Sequence, residues 1–333
     1  MNQDENATDL PAEYQPELLP VGEGCPDYEP ELTPRAAGAR RQIRLSARRL
    51  YPMAAFLFVA TCLSTWAVQQ SVTYSVAVMS ILLAHELGHF LQALRYRVPA
   101  SPPLFIPMPT LFGTMGAVIL QGAGFANRKA LFDIAISGPL AGLVVALPVL
   151  WYGVAQSTVS PLPGADELPP GFTTMIYNEP LVLQWFIHLR HGSIPDGSAV
   201  SLNPLLFAGW VGIFVTALNL LPVGQLDGGH ILYTLIGRRA HSVAITLVAG
   251  AAAWMIVTGH RSYVFFLLLM FLFGVRHPPS ADDSVPLGAG RIILGWVTLA
   301  FLFVGFTPVP LEQYSPNENT PPPVVQSPET IAV

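Results

Sequence analysis

Residues 73–96 read TYSVAVMSILLAHELGHFLQALRY, and this stretch determines what kind of protein the sequence describes. It is an apolar run of the length that an α-helix needs to cross a hydrocarbon core of about 30 Å. The run nevertheless contains His85, Glu86 and His89. An ionisable side chain inside such a helix is costly unless it is paired or bound to a metal, so we expect these three residues to share one task.

The overall composition also indicates a membrane protein. Of the 333 residues, 52% are hydrophobic and 11% are charged, and the mean hydropathy is +0.48. A soluble domain carries about 25% charged residues. Nine acidic residues lie in residues 1–34, and six Arg follow in residues 35–49. Because the Arg run adjoins an apolar segment, it is a typical cytoplasmic topology anchor, and no nucleic-acid partner is expected.

Seven apolar runs predict an all-α polytopic membrane protein with about seven transmembrane helices. Residues 99–125, by contrast, are apolar but contain five prolines and several glycines, which predicts a re-entrant loop or a hairpin. Irregular backbone at membrane depth needs protein or a water-filled cavity around it, so a functional site is expected nearby. The predicted spans are 52–69, 73–96, 130–155, 202–221, 241–258, 262–275 and 291–307.

The two ends of the chain are predicted to be disordered tails. Residues 1–49 combine an acidic tail with the Arg-rich juxtamembrane segment, and residues 308–333 are rich in Pro, which leaves residues 50–307 as the membrane domain. Arg residues at alternate span ends predict a cytoplasmic N-terminus and an outer loop over residues 156–200. With no recognisable transit peptide, the expected location is a bacterial plasma membrane, with an organellar membrane as the alternative.

The spacing of His85 and His89 predicts a zinc site. Four residues apart on a helix, the two imidazoles lie on one face about one turn apart, while Glu86 is turned toward a metal-bound water. A hydrogen-bonded polar cluster that joins helices is the structural alternative.

The remaining metal ligand must come from elsewhere in the chain. Cys25 and Cys62 form neither a disulfide framework nor a thiolate cluster, so His and carboxylate ligands are expected. A catalytic zinc normally has three protein ligands, and the expected third is Asp227, in a Pro/Gly-broken stretch, with His230 as the fallback. The other histidines lie in the outer loop or at span ends and are not expected to bind metal: His188, His191, His241, His260 and His277.

Two motifs in this sequence resemble those of the site-2 proteases, the intramembrane zinc metalloproteases of regulated intramembrane proteolysis. They are HELGH at 85–89 and, downstream, Asn219-Leu220-Leu221-Pro222 with Asp227-Gly228, and the resemblance covers roughly residues 50–275. It implies that Zn²⁺ is the cofactor and that Glu86 is the general base and acid. Asn219 would lie near the scissile peptide, and the implied metal ligands are His85, His89 and Asp227.

The resemblance further implies a substrate-binding loop. Gly113, Thr114, Met115 and Gly116 are similar to the Gly-rich membrane loop that lies beside the active site in this family and pairs with an unwound substrate strand. The run 137–142, Ser-Gly-Pro-Leu-Ala-Gly, resembles a helix-packing motif of the family, for which we predict close contact between small residues.

Other sequence features resemble one branch of the family. The outer loop has no room for an inserted PDZ domain. The runs His277-Pro278-Pro279 and Pro286-Leu287-Gly288 are similar to those of cyanobacterial and chloroplast members.

These features predict an intramembrane zinc metalloprotease that cleaves peptide bonds in or near the transmembrane segments of membrane-anchored substrates. Its expected partners are such transmembrane proteins and the lipid bilayer. A membrane metal transporter or metal-binding channel is the alternative, and a proteolytically inactive scaffold is a third possibility. Glu86 distinguishes them, because a transport site has no need for a non-ligating base beside two helical histidines.

Overall fold

Nine α-helices occur among the residues that the computed structural model describes. Four of them are long and apolar enough to cross a membrane, namely Tyr51–Gln69, Val72–Arg95, Arg128–Gln156 and Arg239–Thr258. Two shorter apolar helices are Pro204–Asn219 and Ala289–Gly305. The described residues are 50–109, 112–121, 126–161, 174–195, 198–259, 263–275, 277, 280–314 and 325–326. The helices are α1 Tyr51–Gln69, α2 Val72–Arg95, α3 Arg128–Gln156, α4 Leu181–His191, α5 Pro204–Asn219, α6 Asp227–Ile236, α7 Arg239–Thr258, α8 Val264–Phe273 and α9 Ala289–Gly305.

Each of the seven predicted apolar runs coincides with one helix, with ends that agree within two residues. The two other helices, α4 and α6, were not predicted. The chain is therefore a mostly helical, multi-pass membrane protein. Membrane crossing by α5, α8 and α9 stays a prediction, since these helices have 16, 10 and 17 residues.

The all-α prediction misses seven short strands in the described part of the chain. β1 (Leu104–Pro107) and β2 (Thr114–Val118) form an antiparallel hairpin within the segment for which a re-entrant loop or hairpin was predicted. The other strands pair segments that are far apart in sequence, which apolar periodicity cannot reveal. They are β3 Val159–Pro161, β4 Thr174–Tyr177, β5 Ser198–Ser201, β6 Leu311–Tyr314 and β7 Val325–Gln326.

The two tails predicted to be disordered lie largely outside the described residues. The parts of 308–333 that the structure describes as strands are β6, which pairs with β4, and β7, which pairs with β5.

Side-chain caps fix where the central helices begin. Ser71 accepts a hydrogen bond from Tyr74 N at the start of α2 (3.2 Å), and Asn127 accepts one from Ala130 N at the start of α3 (2.9 Å). Asn203 caps α5 at Leu206 N and also donates from Nδ2 to the Gly153 carbonyl (2.7 Å). The Asn203 side chain thus joins the start of α5 to the end of α3.

Helices α2, α3 and α5 pack against one another in the largest buried cluster, which includes Tyr74, Leu150 and Trp210. Glycines allow α3 and α5 to come close together. A Cβ built on Gly153 would lie 2.3 Å from Leu206 N, and one built on Gly209 would lie 2.5 Å from Leu150 Cα. Close packing through small residues is a common way for helices to associate in a membrane.

Candidate metal centre

Three side chains from two helices converge in the membrane domain. His85 Nε2 lies 3.1 Å from Asp227 Oδ2, and His89 Nε2 lies 3.2 Å from Asp227 Oδ1. The two histidine nitrogens are themselves 3.2 Å apart. Ligands about 2.0 Å from a tetrahedral zinc are separated by about 3.3 Å, so the donor atoms have the spacing that this ion requires. Among the described residues these three form the group that can hold a metal ion.

The tautomer of His89 is set by a neighbouring helix. Its Nδ1 donates a hydrogen bond to the Ile134 carbonyl of α3 at a distance of 2.7 Å. Since Nδ1 carries the proton, Nε2 presents its lone pair toward Asp227 and His85. A histidine held in this way is typical of metal ligands, because the bond orients the ring and makes the free nitrogen more basic.

The run 137–142 packs directly against the two histidines. A Cβ built on Gly138 would lie 2.0 Å from His89 Nε2, and one built on Gly142 would lie 3.1 Å from His85 Nδ1. On α2, a Cβ on Gly88 would lie 2.4 Å from the Ser137 carbonyl oxygen. The predicted contact between small residues is present, and it creates the space that the imidazoles occupy.

Asp227 reaches the histidines because the chain turns sharply after α5. The turn covers residues 220–226, and Asp227 is the first residue of α6. A Cβ on Gly228 would lie 1.9 Å from the Leu220 carbonyl oxygen, so only glycine allows this approach. Gly224 has a φ of +56° and donates its N–H to the Val275 carbonyl (3.1 Å). The predicted Pro/Gly-broken stretch therefore brings the carboxylate to the histidines.

A cavity of about 320 Å³ opens beside the three residues. Glu86 is buried and lines the cavity together with Gln225. Asn219, the last residue of α5, also lines it, and its Nδ2 lies 3.3 Å from His85 Nε2. Glu86 and Asn219 thus lie beside the predicted ligands.

None of the four residues of the Gly-rich loop predicted to bind substrate lines this cavity. Gly113 adopts a φ of +76°, and Thr114 to Gly116 begin strand β2. The cavity itself is lined by the residues that follow in and after β2, namely Ala117, Val118 and Ile119.

A second pair of histidines lines the same cavity. His230, the fallback ligand, is outside the metal-binding group, and its Nδ1 lies 2.5 Å from His277 Nε2. His277 is buried, and the Tyr233 ring stacks on it with centroids 4.3 Å apart. Sequence reasoning treated His277 as a polar residue at a span end. The motif His277-Pro278-Pro279 was the signal available in the sequence. The segment after α8, however, has no apolar periodicity from which a position of His277 in a cavity could be predicted.

The family comparison agrees with this geometry. A family model described as Peptidase family M50, the site-2 protease family, matches residues 73–259, a range that contains all three predicted metal ligands. No solved structure matches the chain.

Curated relatives include proteins named probable zinc metalloprotease, chloroplastic. EGY1 of Arabidopsis thaliana is 30% identical over 70% of this chain and 42% of its own length. EGY3 of Oryza sativa subsp. indica is 33% identical over 68% of this chain and 40% of its own length. EGY1 of Oryza sativa subsp. japonica is 35% identical over 52% of this chain and 29% of its own length. The chain thus spans less than half the length of these relatives. On the family match and these identities, the chain belongs to peptidase family M50.

Proposed function

We propose that this protein is a zinc metalloprotease that hydrolyses peptide bonds in or near transmembrane segments of membrane-anchored substrates. The observation that carries the proposal is the convergence of His85, His89 and Asp227 beside buried Glu86, inside a domain built from apolar helices. The family membership and the printed names of the relatives support it. The three converging residues would hold the zinc ion.

The chemistry divides between the ion and the protein side chains. Bound zinc supplies a Lewis acid that polarises a carbonyl group and makes water a stronger acid. Glu86 takes the proton from the attacking water and returns it to the leaving amine. The Asn219 amide donates a hydrogen bond to the carbonyl oxygen as negative charge develops on it. Ile134 holds His89 in the required tautomer throughout.

The proposed substrates are transmembrane segments that are locally unwound. A helical carbonyl is already hydrogen-bonded, so a segment must open before its peptide bond can be attacked. The β1–β2 hairpin would receive it as an extended strand, with Gly113, Thr114, Met115 and Gly116 as the predicted contact region, just before the cavity-lining Ala117 in the chain. In this proposal the hairpin is re-entrant and all seven predicted spans cross the bilayer.

The membrane in which the protein acts is proposed from the relatives. Those proteins are named chloroplastic, and they lend no support to the bacterial plasma membrane expected from the sequence. We therefore propose that the protein lies in the same kind of membrane as the chloroplast relatives. Its Arg-rich side would face the compartment in which the protein is synthesised.

Replacing Glu86 by Gln tests the proposal, because the change removes the base and keeps the three ligands. We expect the purified full-length variant to retain zinc at the wild-type stoichiometry, measured by elemental analysis. Co-expressed with a panel of single-span membrane proteins, the wild type should release a fragment that the variant does not. A rate loss of at least about a hundredfold is expected for a general base.

A His85→Ala variant is the control, since it should lose both zinc and cleavage. Cleavage by Glu86→Gln at the wild-type rate would refute the role of Glu86. If Glu86→Gln instead carried zinc across vesicle membranes as fast as the wild type, with no cleavage by either form, the transporter alternative would be favoured.

A further inference from the structure

Helix α4 lies within the predicted outer loop, residues 156–200. This short helix carries apolar residues on two opposite sides. Leu183 and Ile187 are 1% and 3% exposed and face the rest of the protein. On the other side, Leu181, Trp185 and Leu189 are 55%, 62% and 61% exposed. These three recur every four residues and form a continuous stripe along the helix. A helix packed on a protein and otherwise in water would carry polar residues at these positions.

Polar residues border the stripe on one flank and follow it in the last turn of the helix. On the flank, the exposed Gln184 and His188 lie about 100° and about 60° around the helix axis from Trp185, at the centre of the stripe, and Arg190 and His191 lie in the last turn. The middle of the helix therefore presents one sector to the protein, a polar flank and an apolar stripe. Such a division fits a helix that meets the protein, water and a third, apolar medium.

Aromatic rings connect the stripe to a candidate membrane span. The Phe186 ring packs against Trp151 of α3 with centroids 5.4 Å apart, and Trp185 lies 5.5 Å from Phe186. Trp151 and Tyr152 are themselves partly exposed at the outer end of α3. Trp and Tyr concentrate where the hydrocarbon core meets the headgroups, so this cluster is typical of a membrane boundary.

The length of α3 agrees with a position of this aromatic cluster at the boundary of the hydrocarbon core. From Lys129, at the cytoplasmic start of the helix, to Trp151 the helix rises about 33 Å. The hydrocarbon core is about 30 Å thick. With Lys129 at one boundary, Trp151 and the adjoining α4 lie at the other.

We propose that α4 is an interfacial helix whose stripe of Leu181, Trp185 and Leu189 inserts into the outer leaflet of the lipid bilayer. Lipid is the favoured occupant because the stripe continues, through the ring contacts, the exposed apolar surface of a helix that is itself long and apolar enough to span the membrane. The proposal goes beyond the proposed function and does not require that the protein cleave anything. Its role is to fix the depth of the membrane domain, and hence of the metal centre, in the bilayer.

Spin labels on α4 test this proposal in the full chain. Cys25 and Cys62 are replaced by Ser, single cysteines are introduced at Leu181, Leu189 or Gln184, and each protein is labelled and reconstituted in phosphatidylcholine vesicles containing phosphatidylglycerol. Collision rates of each label with oxygen, which concentrates in lipid, and with a water-soluble nickel complex are then measured. We expect the ratio of oxygen to nickel collisions to be several-fold higher at Leu181 and Leu189 than at Gln184.

A charge on the stripe provides a matched pair of variants. Trp185→Glu should lower the ratio at a label on Leu189 toward the value at Gln184, whereas Gln184→Glu, on the polar flank, should leave it unchanged. Frequent nickel collisions along the stripe of the otherwise unaltered chain would show that it faces water and overturn the proposal. Low collision rates with both reagents would show a covering protein, either a second copy or another chain, and would overturn it equally.

Discussion

Gly138 lies where α3 passes closest to His89, and its missing side chain makes room for a predicted zinc ligand. A Cβ at this position would lie 2.0 Å from Nε2, so Gly138→Ala must displace the ring. We expect zinc affinity to fall at least about tenfold, as it does when the surroundings of a metal ligand are disturbed. The measurement is a zinc titration of the purified protein.

Gly250→Ala is the matched control for this prediction. Gly250 lies within α7, where an added Cβ meets nothing within 4 Å. This variant should bind zinc normally and gain up to about 1 kcal/mol of stability from helix propensity. Equal zinc affinity in both variants would mean that His89 is not confined by α3.

Burial of Glu179, which lies just before α4, should make the stability of the protein depend on pH. Its Oε1 atom is buried with no hydrogen-bond partner in the described structure, and burial raises the pKa of Glu179 to about 7. Because this folded-state pKa exceeds the usual value of 4.5, the folded protein binds the proton more tightly than the unfolded chain. The contribution of this proton to the free energy of unfolding is fully present below pH 4.5. It decreases by about 3 kcal/mol as the pH rises to 7.

Glu179→Gln should remove this part of the pH dependence. Thermal unfolding of both proteins in detergent, from pH 4.5 to pH 8, measures it. Ser160→Glu is the control, because an exposed carboxyl group at that position should add no comparable loss. A wild type and a Glu179→Gln variant with parallel stability curves would contradict the assignment.

At the residue scale, the proximity of the site residues could be predicted where spacing carries the information, and their roles stay predictions. His85, Glu86 and His89 are close in sequence, so helical geometry alone places them together. Asp227 was found through its Pro/Gly-broken surroundings and the family motif. His277 was missed as a cavity residue, because its position depends on how the segment after α8 folds back toward α6, and that segment has no repeating pattern.

At the scale of elements, an ion pair and a tyrosine hydroxyl join the adjacent ends of three helices. Arg291 of α9 binds Asp133 of α3 through two hydrogen bonds, of 2.7 and 2.9 Å, and Tyr96, just after α2, donates to the same carboxylate. From the sequence, Arg291 is only one of the Arg residues at span ends that are expected to set the topology. The bidentate geometry is the strong form of this interaction, so the pair should also hold the helices together.

We expect Arg291→Met to lower the free energy of unfolding by about 2 kcal/mol, because Asp133 then loses its charged partner. Arg239→Met is a suitable comparison, since Arg239 is exposed and its loss should cost less than about 0.5 kcal/mol. Denaturant unfolding of both variants gives the values. Indistinguishable losses would show that the ion pair does not stabilise the helix contact.

The helices were far easier to predict than the strands and the two short helices. Seven apolar runs identify seven helices because length and hydropathy are local properties. By contrast, β4 depends on β6, which lies more than a hundred residues away, and no local pattern reports such pairing. Helix α4 escaped prediction because its apolar residues face two directions and give no single amphipathic stripe.

At the scale of the whole molecule, the predicted zinc ligands come from segments that are distant in the chain, so removal of a bound ion should destabilise the domain. An ion held a thousandfold above its dissociation constant contributes about 4 kcal/mol. We therefore expect a chelator to lower the midpoint of thermal unfolding by about 10 °C and added zinc to restore it.

An Asp227→Ala variant supplies the control for chelation. Its midpoint should already be low and should no longer respond to the chelator, because one of the three converging ligands is missing. A wild-type midpoint that is insensitive to chelation would show that the fold does not depend on the ion.

The distance of 142 residues between His85 and Asp227 also has a consequence for biosynthesis. While the ribosome is still making the protein, the two histidines enter the membrane long before their carboxylate partner exists. A half-made chain therefore lacks the complete set of predicted ligands, and under the proposed function it could not cleave the membrane proteins inserted around it. We expect metal loading to follow only after helices α1 to α5, which precede Asp227, have been synthesised.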